Sequence, residues 1–350
     1  MTLDVGYDAT AATVGRTGVA RYARELVAAV GQYDVRPHLF AVGRGVFPPP
    51  PATRRVRVPL RPAQRIARVL RAPRAEWLVG DVDLVHVLDM TPWPTSRPLA
   101  LTVHDVAALE HPEWHHPRQV AQQRAQLTAA ARADLVCAVS RATSDALVRR
   151  GVPAERIVVT PLGLTRPAAP EPIDIGAPFV LAVGEVTARK GLDTLVDAFA
   201  AARLPSTWRL VLAGPVGHGA DRVVAGGGDR VVVLGPVSDG QLAGLYAEAS
   251  ALAAPSRAEG FGLPVLEAMG AGLPVIASDL DVVREVAGDA AVLVPVDDVA
   301  AWRSALERLG DEPDGLRRLR DAGRSRAAMF TWARTAQLTV EAYHRMLGCR

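Results

Sequence analysis

The chain has 350 residues, 49% of them hydrophobic and 22% charged, with a net charge of +3. That length exceeds one ordinary domain and predicts two cores of roughly 150 to 200 residues each. Its two cysteines, Cys137 and Cys349, exclude a disulfide scaffold and a clustered-cysteine metal site, and they fit a reducing, cytoplasmic setting.

The N-terminus, MTLDVGYDAT, lacks the basic-then-apolar layout of a secretory signal. Residues 17–30, TGVARYARELVAAV, follow a glycine-containing turn and read as an amphipathic helix. Residues 54–74, RRVRVPLRPAQRIARVLRAPR, hold eight arginines and no acid. From Pro62 this stretch fits a short helix with Ile66, Val69 and Leu70 on one side and Arg65, Arg68 and Arg71 on others. Such a helix suits docking on an anionic membrane surface, and a solvated basic loop is the alternative. The surrounding half shares the bias: residues 1–165 carry 21 basic and 14 acidic groups, against 19 and 23 in 166–350. No apolar run approaches the ~18 residues of a spanning helix. A cytoplasmic protein, or one peripheral on the inner face of the membrane, is expected.

Short apolar runs then alternate with helix-like stretches. LVHVLD (84–89), LALTVHD (99–105) and DLVCAVS (134–140) read as buried parallel strands ending in polar residues. TRPAAPEPIDIGAP (165–178), with prolines at 167, 170, 172 and 178, reads as a linker. After it the alternation restarts with FVLAVG (179–184), a helix from about 191, WRLVLAG (208–214), RVVVLG (230–235), ALAAPS (251–256), LPVIAS (273–278) and AAVLVP (290–295). FTWARTAQLTVEAYHRML (330–347) predicts a final helix anchored by Trp332, Leu338, Tyr343 and Leu347. The economical architecture is α/β. Two Rossmann-like doubly wound domains, 1–165 and 179–329, would be joined by the Pro-rich linker 166–178, with the 330–350 helix packing back toward the first. Ligands of such sheets bind at the carboxyl ends of strands, so a cleft between two facing domains is the expected site.

The segment PSRAEGFGLPVLEAMGAGLPVIASD (255–279) carries the richest chemistry. A strand ends near Pro255, and the turn Gly260-Phe261-Gly262 leads into a helix that Pro264 suits at its first position. The unpaired N–H groups of a helix start, with its dipole, form an anion site. Glu259 precedes the turn, and Glu267, eight residues on, is expected in the helix's first turn. Carboxylates on both sides of an anion site fit a ligand with hydroxyls at both ends, such as a nucleotide-sugar. Lys190 is the only lysine beside 39 arginines. It opens a helix after the FVLAVG strand, which puts its ammonium at a strand's carboxyl end.

EGFGLPVLE resembles the E-x7-E signature of retaining glycosyltransferases of the GT-B fold, glycosyltransferase family 4. The resemblance extends through GRTGVARYARELV (15–27), LTVHDVAALEHPEWHHP (101–117), AVSRATSDAL (138–147), VVTPLGL (158–164), VLAVGEVTARKGLDTLVDAF (180–199) and REVAGDAAVLVPVDD (284–298). It implies that Glu259 contacts the donor hexose, while Gly260, Phe261, Gly262 and Leu263 present amides to the distal phosphate. It likewise implies that Glu267 holds the ribose diol and that Lys190, with Arg189, neutralises the leaving diphosphate. By the same resemblance, His104 sits against the donor sugar, Gly235, Pro236 and Val237 border the nucleobase, and the loop Gly15, Arg16 and Gly18, with Asp105, borders acceptor and diphosphate. One departure stands out. Where many members carry a second clamping arginine, this chain has Glu185, which leaves Arg189 or Arg257 for that role.

The implied reaction is retaining transfer of a hexose, mannose favoured and GDP-mannose the preferred donor, to a glycan or lipid-linked acceptor. No metal and no other cofactor is expected, because no Asp-x-Asp-like ligand cluster is visible at a strand end. No nucleic-acid partner is expected either. An epimerase or phosphorylase on the same fold, or a non-catalytic carbohydrate- or lipid-binding relative, remains the alternative. A nicotinamide oxidoreductase would place G-x-G-x-x-G after the first strand, and that motif is missing.

Overall fold

The computed structural model describes residues 2–348 except 14, 16, 44, 46, 47, 49, 71, 90, 91, 177, 218, 219, 221, 222, 224–227 and 312. At 61, 65, 68, 310, 311, 313 and 314 it describes the backbone alone. The chain divides into two compact units: Met1–Leu109 with Arg118–Gly163 and Thr331–Arg350, and Glu110–Pro117 with Leu164–Phe330.

Among the described residues of the first unit, seven parallel strands run in the order β3-β2-β1-β4-β5-β6-β7. They are β1 (Leu3–Asp8), β2 (Val35–Val42), β3 (Arg54–Val56), β4 (Leu84–Val87), β5 (Leu99–Val103), β6 (Leu135–Ala138) and β7 (Ile157–Val159). The central strands are buried along nearly their whole length, as parallel strands covered on both faces must be. The helix Gly18–Val30 starts where Thr17 caps it, its hydroxyl accepting from Ala20 N at 3.2 Å. The basic stretch forms a helix over Leu60–Leu70, two residues earlier than Pro62 predicts. Pro62 then falls in the first turn, where its missing N–H leaves no helical bond unmade.

The C-terminal helix Trp332–Met346 is part of this first unit, and Trp332 and Tyr343 are buried within it. A chain of neutral polar groups fixes it there. The Tyr7 and Tyr343 hydroxyls lie 3.1 Å apart, and Tyr343 Oη is 2.5 Å from His86 Nδ1. His86 Nε2 continues to Thr102 Oγ1 at 2.8 Å, and Thr102 to the Tyr22 hydroxyl at 2.9 Å. Burial pushes His86 down to about 3, so its imidazole is neutral at pH 7.

In the second unit six parallel strands run in the order β10-β9-β8-β11-β12-β13 among the described residues. They are β8 (Phe179–Val183), β9 (Arg209–Ala213), β10 (Val231–Gly235), β11 (Ala251–Ala254), β12 (Val275–Ser278) and β13 (Val292–Val294). The core beneath them gathers Val180, Leu195, Phe199, Leu212 and Trp302. The described residues of the Pro-rich stretch form no helix or strand, and Glu171 ties it to this unit. Its N–H donates to Gly240 O at 2.9 Å, and its carboxylate accepts from Ser238 Oγ at 2.9 Å. No described helix is long and apolar enough to cross a membrane.

Strand order reverses once in each sheet, between β1 and β4 in the first and between β8 and β11 in the second. The loops leaving two such strands diverge to opposite sides and open a crevice at their carboxyl ends.

Candidate functional site

The β8/β11 crevice is built by two interlocking loops. β8 runs into Gly184, whose φ of +135° suits glycine and whose Cβ, were there one, would lie 3.1 Å from Lys190 Cε. The loop then makes one 3-10 turn, Ala188–Lys190, and Gly191 closes it at φ +59° before the helix Leu192–Ala201. A Cβ on Gly191 would sit 2.2 Å from Pro255 O, so glycine is what lets this loop press against the one after β11. The Arg257 N–H donates to Arg189 O at 2.9 Å and stitches the two together.

Glu259 lies at the centre. Its carboxylate accepts from the Lys190 ammonium, from Ser256 Oγ at 2.7 Å and from Arg189 Nη1 at 3.3 Å. The side chains of Lys190 and Glu259 are 12% and 14% exposed. Burial alone would raise Glu259, but the charges of Lys190 and Arg189 and the hydrogen bonds from Lys190 and Ser256 outweigh it, bringing the group down to about 2. Glu259 is therefore an ionised acceptor at neutral pH, unable to serve as a proton donor.

Beyond it, Gly262 takes φ +90° and caps the helix Leu263–Ala271, with Pro264 in its first turn. Phe261 is buried edge-to-face on Phe330, ring centres 5.9 Å apart, which holds the turn down. A solvent-open pocket is lined by Gly184, Lys190, Ser256, Glu259, Gly262 and Pro264 among others. Two cationic side chains and the N-terminal end of the helix Leu263–Ala271 meet in this crevice, an arrangement that favours an anion.

Other sequence-designated residues are placed as follows. Glu267 is the fifth residue of its helix and sits in the second turn, not the first, because the helix begins at Leu263. Its Oε2 accepts from the Tyr246 hydroxyl at 2.9 Å. Gly235 ends β10 at φ +70°, with Pro236 exposed and Val237 half-buried after it. Arg257 is committed elsewhere: its Nε meets Asp297 at 2.8 Å, its Nη2 meets Asp193 at 3.0 Å, and its Nη1 meets Ala188 O at 2.5 Å. It braces the loop that carries Lys190, which leaves Arg189 as the guanidinium beside Glu259. Glu185 is exposed, with Gly217 packed against its carboxylate.

His104, Asp105, Gly15 and Gly18 belong to the first unit. His104 follows β5, with Nε2 2.9 Å from Leu88 O and its ring edge-to-face with Tyr22 at 4.9 Å. Asp105 accepts from Ala107 N and from Gln123 Nε2, each at 2.9 Å, and so caps the short helix Ala107–Glu110. Gly15 has room for a side chain, and Gly18 is the first residue of its helix. Arg16 lies outside the described residues.

Sequence reasoning missed Ser256, Tyr246 and two carboxyls at the β1/β4 crevice. Asp8, ending β1, is buried and pushed up to about 6 by desolvation, although hydrogen bonds from Thr10 oppose the shift. Asp89, two residues beyond β4, is likewise raised by burial. The only available signal was the polar residue closing each strand. Among the described residues, no group of three or more His, Cys, Asp or Glu side chains is arranged to hold a metal ion.

Comparison with known proteins matches both units. Residues 16–165 fit the family model described as Glycosyltransferase Family 4, and residues 177–312 fit Glycosyl transferases group 1. The D-inositol 3-phosphate glycosyltransferase of Nocardia farcinica is 32% identical over 80% of this chain and 70% of its own length. The MMP alpha-(1->4)-mannosyltransferase of Mycolicibacterium hassiacum is 32% identical over 81% of this chain and 74% of its own. Among solved structures, the sucrose-phosphate synthase of Thermosynechococcus elongatus superposes with a TM-score of 0.75 at 23% identity, covering 99% of both chains. Anabaena HepE, solved with UDP and glucose, superposes at 0.73 and 19% identity, covering 98% of this chain and all of that one. These two likenesses show the fold.

Proposed function

The chain belongs to glycosyltransferase family 4 and is a glycosyltransferase of GT-B fold, and from that premise we propose a retaining, metal-independent hexosyltransferase. Its donor would be a nucleoside-diphosphate sugar, GDP-mannose favoured, and its acceptor a hydroxyl of a glycan or a lipid-linked glycan. The observation that carries the reading is the meeting of Lys190, Arg189 and the N-terminus of the helix Leu263–Ala271 around Glu259 in the β8/β11 crevice. The mannose preference draws on relatives named as mannosyltransferases, in Mycolicibacterium hassiacum and Escherichia coli.

The chemistry follows from where charge grows. As the anomeric carbon–oxygen bond to phosphate breaks, the sugar becomes oxocarbenium-like and negative charge collects on the diphosphate. Cations and amides already in place stabilise that charge without reorganising at the moment of reaction. With donor bound, Lys190 divides its hydrogen bonds between the phosphate and Glu259. Glu259 keeps the ammonium aimed and offers lone pairs to hexose hydroxyls. Because it stays ionised, the acceptor's proton must go elsewhere, and the leaving phosphate on the same face of the sugar is a suitable base. Attack from that face retains the anomeric configuration. Glu267 would accept from the ribose diol, Gly235 to Val237 would border the base, His104 would meet the donor sugar, and acceptor recognition falls to the first unit through Gly15, Gly18 and Asp105. Side-chain cations at the leaving group take over part of the charge neutralisation that a divalent metal would otherwise supply.

The test is a donor screen. The purified protein is incubated with GDP-mannose, UDP-glucose and related donors, with and without acceptor and chelator, and nucleoside diphosphate release is followed. Acceptor-dependent, chelator-insensitive release, greatest with GDP-mannose, is expected. A folded protein that neither binds nor turns over any donor would sink the reading. Turnover that ends on chelation would remove its metal-free part.

A further inference from the structure

The helix Leu60–Leu70 carries more apolar surface than its packing uses. Ala67 is buried, and Ala63 and Leu60, one and two turns before it, pack on the first unit's core. Ile66, Val69 and Leu70 lie off that stripe at helical spacing and are 55%, 76% and 68% exposed. Val58 and Trp77, just before and after the helix, are 38% and 62% exposed. Together these are five of the ten exposed large hydrophobic side chains among the described residues, gathered within 58–77. Scattered exposed apolar residues need no explanation, but three that share one helix face, as Ile66, Val69 and Leu70 do, call for one.

Charge marks the same segment. Arginine occupies positions 57, 61, 65, 68, 71 and 74, with no acid between 54 and 74. By helical spacing, positions 61, 65 and 68 share one flank, which borders that of Ile66, Val69 and Leu70 where position 65 precedes Val69 by one turn. Arg57 and Arg74 are exposed at either end. The next acid, Glu76, is occupied by Thr95 Oγ1 at 2.9 Å and by Ser96 N and Oγ at 2.6 and 2.8 Å.

We propose that this face docks on an anionic lipid bilayer, with Ile66, Val69, Leu70 and Trp77 entering the headgroup boundary and the arginines meeting lipid phosphates. An apolar stripe flanked by arginine on a helix lying flat is the arrangement an interface selects. A second copy of the chain is a poorer occupant, since a two-fold contact would set arginine against arginine. The inference deepens the glycosyltransferase reading by naming where a lipid-linked acceptor is met. Vesicle binding needs no turnover, so either can fail alone.

The experiment is co-sedimentation of the full chain with phosphatidylcholine vesicles, alone or with about 30% phosphatidylglycerol, at low and raised salt. Wild type is expected to pellet with anionic vesicles and to be released by salt. The double variant Val69→Ser/Leu70→Ser should lower its partition roughly tenfold, and Arg57→Gln/Arg74→Gln severalfold. These side chains are on the surface, so unchanged melting and unchanged nucleotide release with a soluble acceptor serve as the folding control. Equal binding to neutral vesicles, or a serine variant that pellets like wild type, overturns the proposal. So does a dimer that the serine variant dissociates without vesicle binding, which assigns the face to a second copy. A soluble acidic partner that competes while vesicles do not assigns it to protein.

Discussion

The two sheets open the same kind of crevice and fill it with opposite electrostatics. At β1/β4, burial pushes Asp8 up to about 6 and raises Asp89, so both carboxyls stand above the usual carboxylate range. At β8/β11, Lys190 and Arg189 bring a carboxylate of similar burial down to about 2. Topology decides where a crevice lies, and the loop residues decide which charge it welcomes. On this contrast the second crevice suits an anion, as the proposed donor's diphosphate would require. The first would repel it at neutral pH, and accepting oxygens there suit hydroxyl groups better.

The largest effect should come from removing the charge that makes the second crevice cationic. Lys190→Ala is expected to lower kcat for sugar transfer by roughly 100- to 1,000-fold, the scale lost when one preorganised donor to a developing negative charge is deleted. If kcat stays within twofold, the β8/β11 crevice is not where leaving-group charge is stabilised, and the contrast loses its functional meaning. Lys190→Arg tests geometry: partial recovery means charge suffices, while full loss means the compact ammonium is required.

A matched pair of neutral substitutions probes the contrast through pH. Asp8 is raised in the folded state, so its contribution to stability is fully present below its unfolded value of 3.8 and is lost as pH climbs through about 6. Asp8→Asn keeps an oxygen for the Thr10 N–H and removes that loss. Relative to wild type it should gain on the order of 3 kcal/mol in going from acid to neutral pH. Glu259 is depressed, so its contribution is present above its unfolded value of 4.5 and is lost as pH falls through about 2. Glu259→Gln should therefore fall behind wild type as pH rises through that window. Denaturant unfolding across pH 2 to 8 checks both. Slopes of the same sign would mean that the crevices differ less than their neighbours suggest.

Much of the second crevice was legible in the sequence because its chemistry is local. Gly260, Gly262 and Pro264 announce a turn into a helix, and a single lysine among arginines announces itself. The pairing of Lys190 with Glu259, 69 residues apart, is not written locally; it depends on β8 and β11 becoming neighbours. Strands β1 to β3 went unnamed because their polar and aromatic residues interrupt the apolar runs that mark the others. Asp8 reads as an ordinary strand-ending aspartate, and only its burial makes it unusual. Arg257 looked like a clamp because it stands two residues before Glu259, yet Asp193 and Asp297 turn it into a brace.

The smallest effect separates the two carboxylates inside the second crevice. Glu259 is held by cations, whereas Glu267 accepts from the phenol of Tyr246 on the neighbouring helix Asp239–Glu248. Tyr246→Phe removes that hydrogen bond and keeps the ring that packs there. A hydrogen bond to a charged group contributes about 1.5 kcal/mol net at the low end, so KM for the donor should rise roughly tenfold. kcat should hold, because the ribose end of the donor does not change charge during transfer, and binding lost equally from ground and transition states appears in KM alone. A donor whose ribose lacks the diol should be insensitive to the substitution, since it has no hydroxyls for Glu267 to hold. If Tyr246→Phe lowers kcat instead, or affects both donors alike, then Tyr246 shapes the helix around the Gly260–Gly262 turn and Glu267 is not the ribose acceptor.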